Sequence, residues 1–316
     1  SIFSDTFLAT QSTLQLGDSL NGGNGSDTLS LTIGGSGGLI TGFATESIET
    51  IKVKSLSTGA STLDLSDAKG PFTLYSYETD GAALTFHDIQ NTTTTAIKVV
   101  DTDEKHTFQY DVGNSANPLG DEVNIGVEEM RWVGDSVTGA GAEIILENNT
   151  TPKQSFVDVI NLDSSDRIDN PVQPSPTKKN EMALYAGDDL DKLFITGQAD
   201  LWITNTLDQN IVLVDASAHT GAADGATVVG RAFELTLNLS NSNDGVAFAD
   251  DGNVPTMTLK GSKGDNHIDF GTTNNDKEVI LQGGNDWLRT GTGEAKVDLG
   301  AGNDTLTAGA LNDSVN

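Results

Sequence analysis

Cysteine is absent from the sequence. That excludes disulfides, thiolate chemistry and cysteine-ligated zinc. Basic residues are scarce. Lys and Arg number 17 against 46 Asp and Glu, giving a formal net charge of −29 and a pI near 4.1. No basic stripe exists to neutralise phosphates, so nucleic acid is excluded as an expected partner. No apolar run reaches the roughly 18 residues that a membrane-crossing helix needs, so no transmembrane segment is expected. Apolar residues make up 36% and aromatics 6%, a thin supply of core for 316 residues. The histidines, His87, His106, His219 and His267, stand far apart, and none has a metal-ligand spacing to another. No G-x-S-x-G elbow is present. The chain therefore reads as a non-enzyme, and replacing His87 or His106 is expected to do little.

What is abundant is turn chemistry. Of the acids, 33 are Asp and 13 are Glu, and there are 35 Gly. If acid served only solubility, Glu would do as well and would favour helix more. Asp, Asn and Gly instead populate turns, where Asp presents a short, stiff oxygen ligand. Short β-branched runs between such turns predict an all-β chain. Disorder is the competing reading of an acidic, polar chain, and the regular apolar runs oppose it.

Neither end reads as a natural terminus, so a processed piece of a longer chain is expected. Residues 1–164 form a first β-rich region, in which Ile48–Lys54 alternates apolar and polar as a half-buried strand does. A β-sandwich and an irregular β-helix are both open for it. Four of the 7 prolines, Pro152, Pro171, Pro174 and Pro176, cluster together, and residues 165–180 read as a linker or an excursion loop. In residues 181–316, Leu193–Thr196 and Leu201–Thr204 are offset by eight residues, and Ile211 begins eight beyond Ile203. Short strands at a fixed small offset predict stacked rungs of a β-solenoid.

The repeats carry the chemistry. Gly22-Gly23-Asn24-Gly25-Ser26-Asp27-Thr28-Leu29-Ser30 matches G-G-x-G-x-D-x-U-x at every fixed position, the nonapeptide of parallel β-rolls. Val279–Arg289, with Gly283, Gly284, Asn285 and Asp286, aligns with Val297–Thr307, with Gly300, Gly302, Asn303 and Asp304, at an offset of 18. That is two nonapeptides, or one turn of a roll. Leu259–Asp269 is a degenerate copy, with Gly261, Gly264, Asp265, Asn266 and Asp269, in which Asp and Asn are exchanged. In such a repeat the Gly-rich turn directs carbonyls inward, the Asp adds a carboxylate oxygen, and a three-residue strand buries one apolar side chain: Leu29, Ile268, Leu288 or Leu306. Stacked turns then offer calcium the ~6–8 oxygens it takes, whereas magnesium demands a tighter octahedron. Several calcium ions are expected. Asp188, Asp189 and Asp191 are a further candidate cluster. Asp163, Asp166 and Asp169, and Asp244, Asp250 and Asp251, read as solvated loops, and Asp215 as a rung-turn residue.

These motifs resemble the repeats-in-toxin (RTX) family of secreted calcium-binding proteins. Leu184-Tyr185-Ala186-Gly187-Asp188-Asp189, the strand and Gly succession Leu193–Thr204, Val214-Asp215-Ala216-Ser217-Ala218-His219-Thr220-Gly221 and Gly42–Ile51 are similar to segments of its surface-layer branch in Gram-negative bacteria. The resemblance implies type I export, an extracellular cell-surface location, calcium-dependent folding and self-assembly into a two-dimensional lattice or another homo-oligomer, with cell-surface polysaccharide as a further partner. The alternatives are an RTX adhesin or biofilm-matrix module and, further off, a β-helix polysaccharide lyase or epimerase. The last would need basic and aromatic residues gathered in a groove.

Overall fold

The computed structural model describes residues 3–90, 96–111, 122–130, 142–148, 157–165, 179–186, 190–197, 199–203, 206–207, 213–219, 223–224, 227–228, 235–238, 247–250, 256–261, 266–270, 276–309 and 313–316. No helix occurs among them, and their strand pairings are parallel. None of their helices could cross a membrane, since there are none. The chain forms two compact units: Ser1–Val157 with Tyr185–Gly187, and Asp158–Leu184 with Asp188–Asn316.

In the first unit one sheet stacks Thr6–Thr10, Thr28–Ile33, Thr50–Ser55, Thr73–Tyr77, Ala96–Thr102 and Glu122–Met130 in chain order. A second stacks Gly38–Ile40, Ser61–Asp64, Leu84–Ile89, Lys105–Tyr110 and Glu143–Asn148. Strands consecutive in sequence belong to different sheets, and most pair with a counterpart one rung of about 22 or 23 residues away, the interval widening to 28 at Ala96↔Asn124 and 38 at Lys105↔Glu143. This is a β-solenoid-like architecture. It replaces the sandwich alternative, which would have joined neighbouring strands by antiparallel hairpins.

Period-two alternation sorts the side chains. Thr28–Ile33 buries Leu29, Leu31 and Ile33. Register then stacks like on like: Leu29, Ile51, Leu74, Ile97 and Ile125 form one buried column. Leu63, Phe86, Phe108 and Leu146 form another, with the two rings parallel at 5.1 Å. Polar residues that turn into the core satisfy one another. Ser76 Oγ lies 2.9 Å from Thr79 Oγ1 and 2.8 Å from His106 Nε2. His106 Nδ1 stands 3.0 Å from the Glu104 carbonyl, so Nδ1 donates and Nε2 accepts from Ser76. Burial depresses the His106 imidazole to a pKa of about 4, against the pull of the Glu104 carbonyl. His106 is thus a neutral structural residue.

The second unit has one long column in register: Ile160, Leu193, Val214, Leu237, Leu259, Val279, Val297 and Val315. Its last intervals shorten from 23 residues (Val214 to Leu237) through 22 and 20 to 18 (Val279 to Val297). The 18-residue offset expected for the terminal copies is the observed register. The eight-residue offset is not a stacking period. Lys192–Gly197 stacks on Leu213–His219, whereas Asp200–Ile203 pairs with Lys179–Met182 in another sheet. The segments eight residues apart are two sides of one rung. Val159–Ser165 pairs with Lys192–Gly197, and both strands belong to the second unit. Most of the proline-rich segment, 166–178, lies outside the described residues.

Candidate metal centres

The three Gly/Asp turns share one backbone plan. Gly25, Gly284 and Gly302 each lie two residues before the repeat Asp, with φ of +139°, +112° and +151°. Left-handed backbone of this kind favours glycine. The stacking also leaves no room for a side chain: a Cβ on Gly302 would stand 1.6 Å from the Gly284 carbonyl oxygen, and one on Gly25 2.6 Å from that of Phe3.

The acids form ladders along the stacking direction. Each carboxylate accepts the backbone N–H of the residue one rung earlier. Asp27 Oδ1 accepts from Asp5 N–H at 2.6 Å, and Glu49 Oε2 from Asp27 N–H at 2.6 Å. Asp304 Oδ1 accepts from Asp286 N–H at 2.9 Å. Asp286 Oδ1 accepts from both Asn266 N–H at 2.7 Å and Asn266 Nδ2 at 2.8 Å. Asn266 therefore occupies the repeat-Asp position of its rung. Its neutral amide gives the buried Asp286 carboxylate a donor that a second carboxylate would lack. The inverted Asp265-Asn266 order has this reason.

Asp27 is fully buried, and its Oδ2 has no hydrogen-bond partner among the described residues. Gly22, also buried, packs against that oxygen: a Cβ there would come within 2.5 Å of Oδ2 and 2.1 Å of the Ser47 carbonyl oxygen. A carboxylate taken out of water costs several kcal/mol unless a partner offsets it. The Ser47 carbonyl oxygen borders the same position, and oxygen donors suit a hard cation. Gly23, Asn24 and Gly25 complete this turn and are exposed.

The other expected ligands fall out differently. Gly283 pairs with Ala301, and Asn303 N–H donates to Asn285 Oδ1 at 3.1 Å, so the turns at 283–286 and 300–304 lie on adjacent rungs. Gly261 packs against Leu281 and Asn266, and Gly300 against the Gln282 carbonyl. The two oxygens of Asp269 accept from Arg289 Nε and Nη2 at 2.6 and 2.7 Å, and the guanidinium balances its charge. Asp191 is exposed, and no compact ligand cluster of the described residues includes it. Asp188, Asp189, Gly264 and Asp265 lie outside the described residues.

Two clusters were not anticipated from the sequence. Asp64, His87 and Asp88 bring one ligand atom each to within 4.8 Å of one another, as do Asp80, Asp103 and Glu104. The second borders a groove of about 320 Å³ whose lining includes Glu78, Asp80, Asp101 and Asp103, with Lys54 paired to Glu78. Burial pushes the Glu104 carboxyl above its ordinary range; Gly81 N–H opposes this, and Asp103 and Asp80 add to it. The signal for both clusters was the rung period. Asp64 and His87, like Asp80 and Asp103, are 23 residues apart, which only a known rung length turns into adjacency.

No protein-family model, curated protein or solved structure matches this chain.

Proposed function

We propose that the chain is part of a secreted, calcium-dependent structural protein of the cell surface that self-assembles into a surface-layer lattice. The observation that carries the calcium reading is Asp27 Oδ2, buried in the turn of a complete nonapeptide and without a hydrogen-bond partner among the described residues. Asp27 would hold one ion in the first unit. Asp286 and Asp304, with carbonyls of their glycine turns, would hold others in the terminal roll. Calcium supplies positive charge between rungs whose carboxylates otherwise repel. The same need extends to assembly, because two surfaces of a chain with net charge −29 repel until cations bridge or neutralise them. The role is architectural and not catalytic.

A second reading, a saccharide-binding adhesin module, draws support from one face of the first unit. Lys52 Nζ lies 3.8 Å from the Tyr77 ring centroid and 4.9 Å from that of Tyr75, and it has no carboxylate partner among the described residues. Electron microscopy with and without calcium separates the two. Ordered sheets that appear with calcium and dissolve in chelator support the lattice. Sheets that persist in excess chelator sink the calcium part, and a monomer that binds an acidic glycan points to the adhesin.

A further inference from the structure

We propose that Asp64, His87 and Asp88 form a binding site for a divalent transition-metal ion of the zinc type, distinct from the calcium turns and independent of that reading. Asp64 and His87 are side by side in the parallel pair Ser61–Asp64 and Leu84–Ile89. Asp88 joins them through a backbone irregularity. In a regular strand, neighbours point to opposite faces. Here Phe86 stands opposite Phe108 and Ile89 opposite Tyr110, so His87 and Asp88 together face the single residue Gln109. Asp88 takes a left-handed φ of +56°, and both side chains emerge on the outer face. Bulges of this kind re-aim side chains and gather at functional sites.

The result is a donor set of one imidazole nitrogen and two carboxylates. His87 Nδ1 lies 3.1 Å from Asp88 Oδ2. Two ligands on one tetrahedral ion stand roughly 3.4 Å apart, given bonds of ~2.0–2.2 Å, so little movement is needed. Asp64 is held in place by outer contacts: Thr41 Oγ1 donates to Oδ2 at 2.6 Å and Ser66 N–H to Oδ1 at 3.0 Å. The imidazole decides the class of ion. Calcium and magnesium take oxygen, whereas nitrogen with carboxylate suits zinc and its first-row neighbours. With the His87 side chain 38% exposed, the fourth position opens to water.

The test is a calorimetric titration of the chelator-treated full chain with Zn²⁺, in millimolar Ca²⁺ to saturate oxygen-only sites, repeated with Co²⁺ for its visible absorption bands. A saturable site is expected that Ca²⁺ does not displace. His87→Ala should weaken it by about 100-fold or more, the upper end of what even outer-shell changes cost. Asp88→Asn keeps the left-handed backbone, which Asn accepts as readily as Asp, and should weaken binding about tenfold. Hydrogen exchange of 276–307 should be the same in both variants as in the parent. If His87→Ala binds Zn²⁺ as the parent does, or if Ca²⁺ abolishes the site, the proposal is overturned.

Discussion

The long rungs of the first unit and the short rungs at the end of the second solve the same stacking problem with different amounts of core. Thr28–Ile33 buries three apolar side chains, and the facing strand of each rung adds more. Trp287–Arg289 buries only Leu288. The neighbouring Asp276–Ile280 even buries a lysine, Lys277, whose ammonium donates to the Thr290 carbonyl at 2.6 Å. Each buried Leu or Ile contributes ~1.5–3 kcal/mol, while ordering the backbone costs ~1–2 kcal/mol per residue. Thr28–Ile33 buries one apolar side chain for every two residues ordered, and Trp287–Arg289 one for every three, so apolar burial supports the short strands less. The comparison teaches that rung length sets how much apolar burial supports each rung; under the calcium proposal, the short rungs are the ones that depend on ions.

The sharpest way to break the comparison is chelation. Residues 276–307 should lose hydrogen-exchange protection and become protease-sensitive without calcium, because a site absent from the unfolded chain turns binding free energy into folding free energy. Residues 28–110 should stay largely protected. Restoration is expected at roughly 10⁻⁴–10⁻³ M calcium and poor with magnesium. Equal protection of the terminal roll in chelator and in calcium would mean that its short strands suffice.

Next in size is a core deletion in the long rungs. Phe108 is fully buried and stacked on Phe86 at 5.1 Å. Phe108→Ala should cost the first unit about 3–5 kcal/mol in denaturant unfolding, whether or not calcium is present. A calcium-dependent cost would show that the two regions are not stabilised separately.

Acid should weaken the first unit through His106. Its folded pKa, about 4, lies below its ordinary 6.5, so the unfolded chain takes up the proton more readily. Its contribution is complete above pH 6.5 and falls as pH drops toward 4, by about 3 kcal/mol over that window. His106→Asn should flatten the slope of stability against pH there. An unchanged slope would remove His106 from the account.

The smallest effect sharpens the role of Asp269. Its pair with Arg289 is partly exposed, with side chains 30% and 42% accessible. Asp269→Asn should change stability by no more than ~1 kcal/mol and leave calcium affinity unaltered. A large loss of affinity would return Asp269 to the ligands.

The terminal roll was legible because its rungs repeat a motif. Gly284 and Gly302, and Asp286 and Asp304, advertise the 18-residue interval that the strands then adopt. The first unit carries the same kind of stack with one solitary motif, Gly22–Ser30, that does not recur at the rung interval. Phe7, Leu29, Ile51, Leu74, Ile97 and Ile125 fill one column, but any large apolar residue does so, and the flanking residues differ. Strands such as Thr50–Ser55 could be read from alternation, yet their partners could not. Without the rung length, Asp64 and His87 looked unrelated. In the second unit Leu193–Thr196 and Leu201–Thr204 misled because a corner between two sheets produces the same apolar spacing as a turn between rungs.

The register between Val279, Val297 and Val315 also makes the terminal roll a ruler. Excising residues 281–298 would join Ile280 to Leu299, a position of identical phase, and every remaining strand would keep its partner's face. Duplicating the block would do the reverse. Such a chain changes reach only in whole steps of about 4.8 Å, the distance between paired strands. Insertions of any other length would rotate apolar residues out of the core. Genetic drift in the length of this segment is thereby quantised: recombination between repeats yields longer or shorter spacers that still fold, while most small insertions within a strand do not.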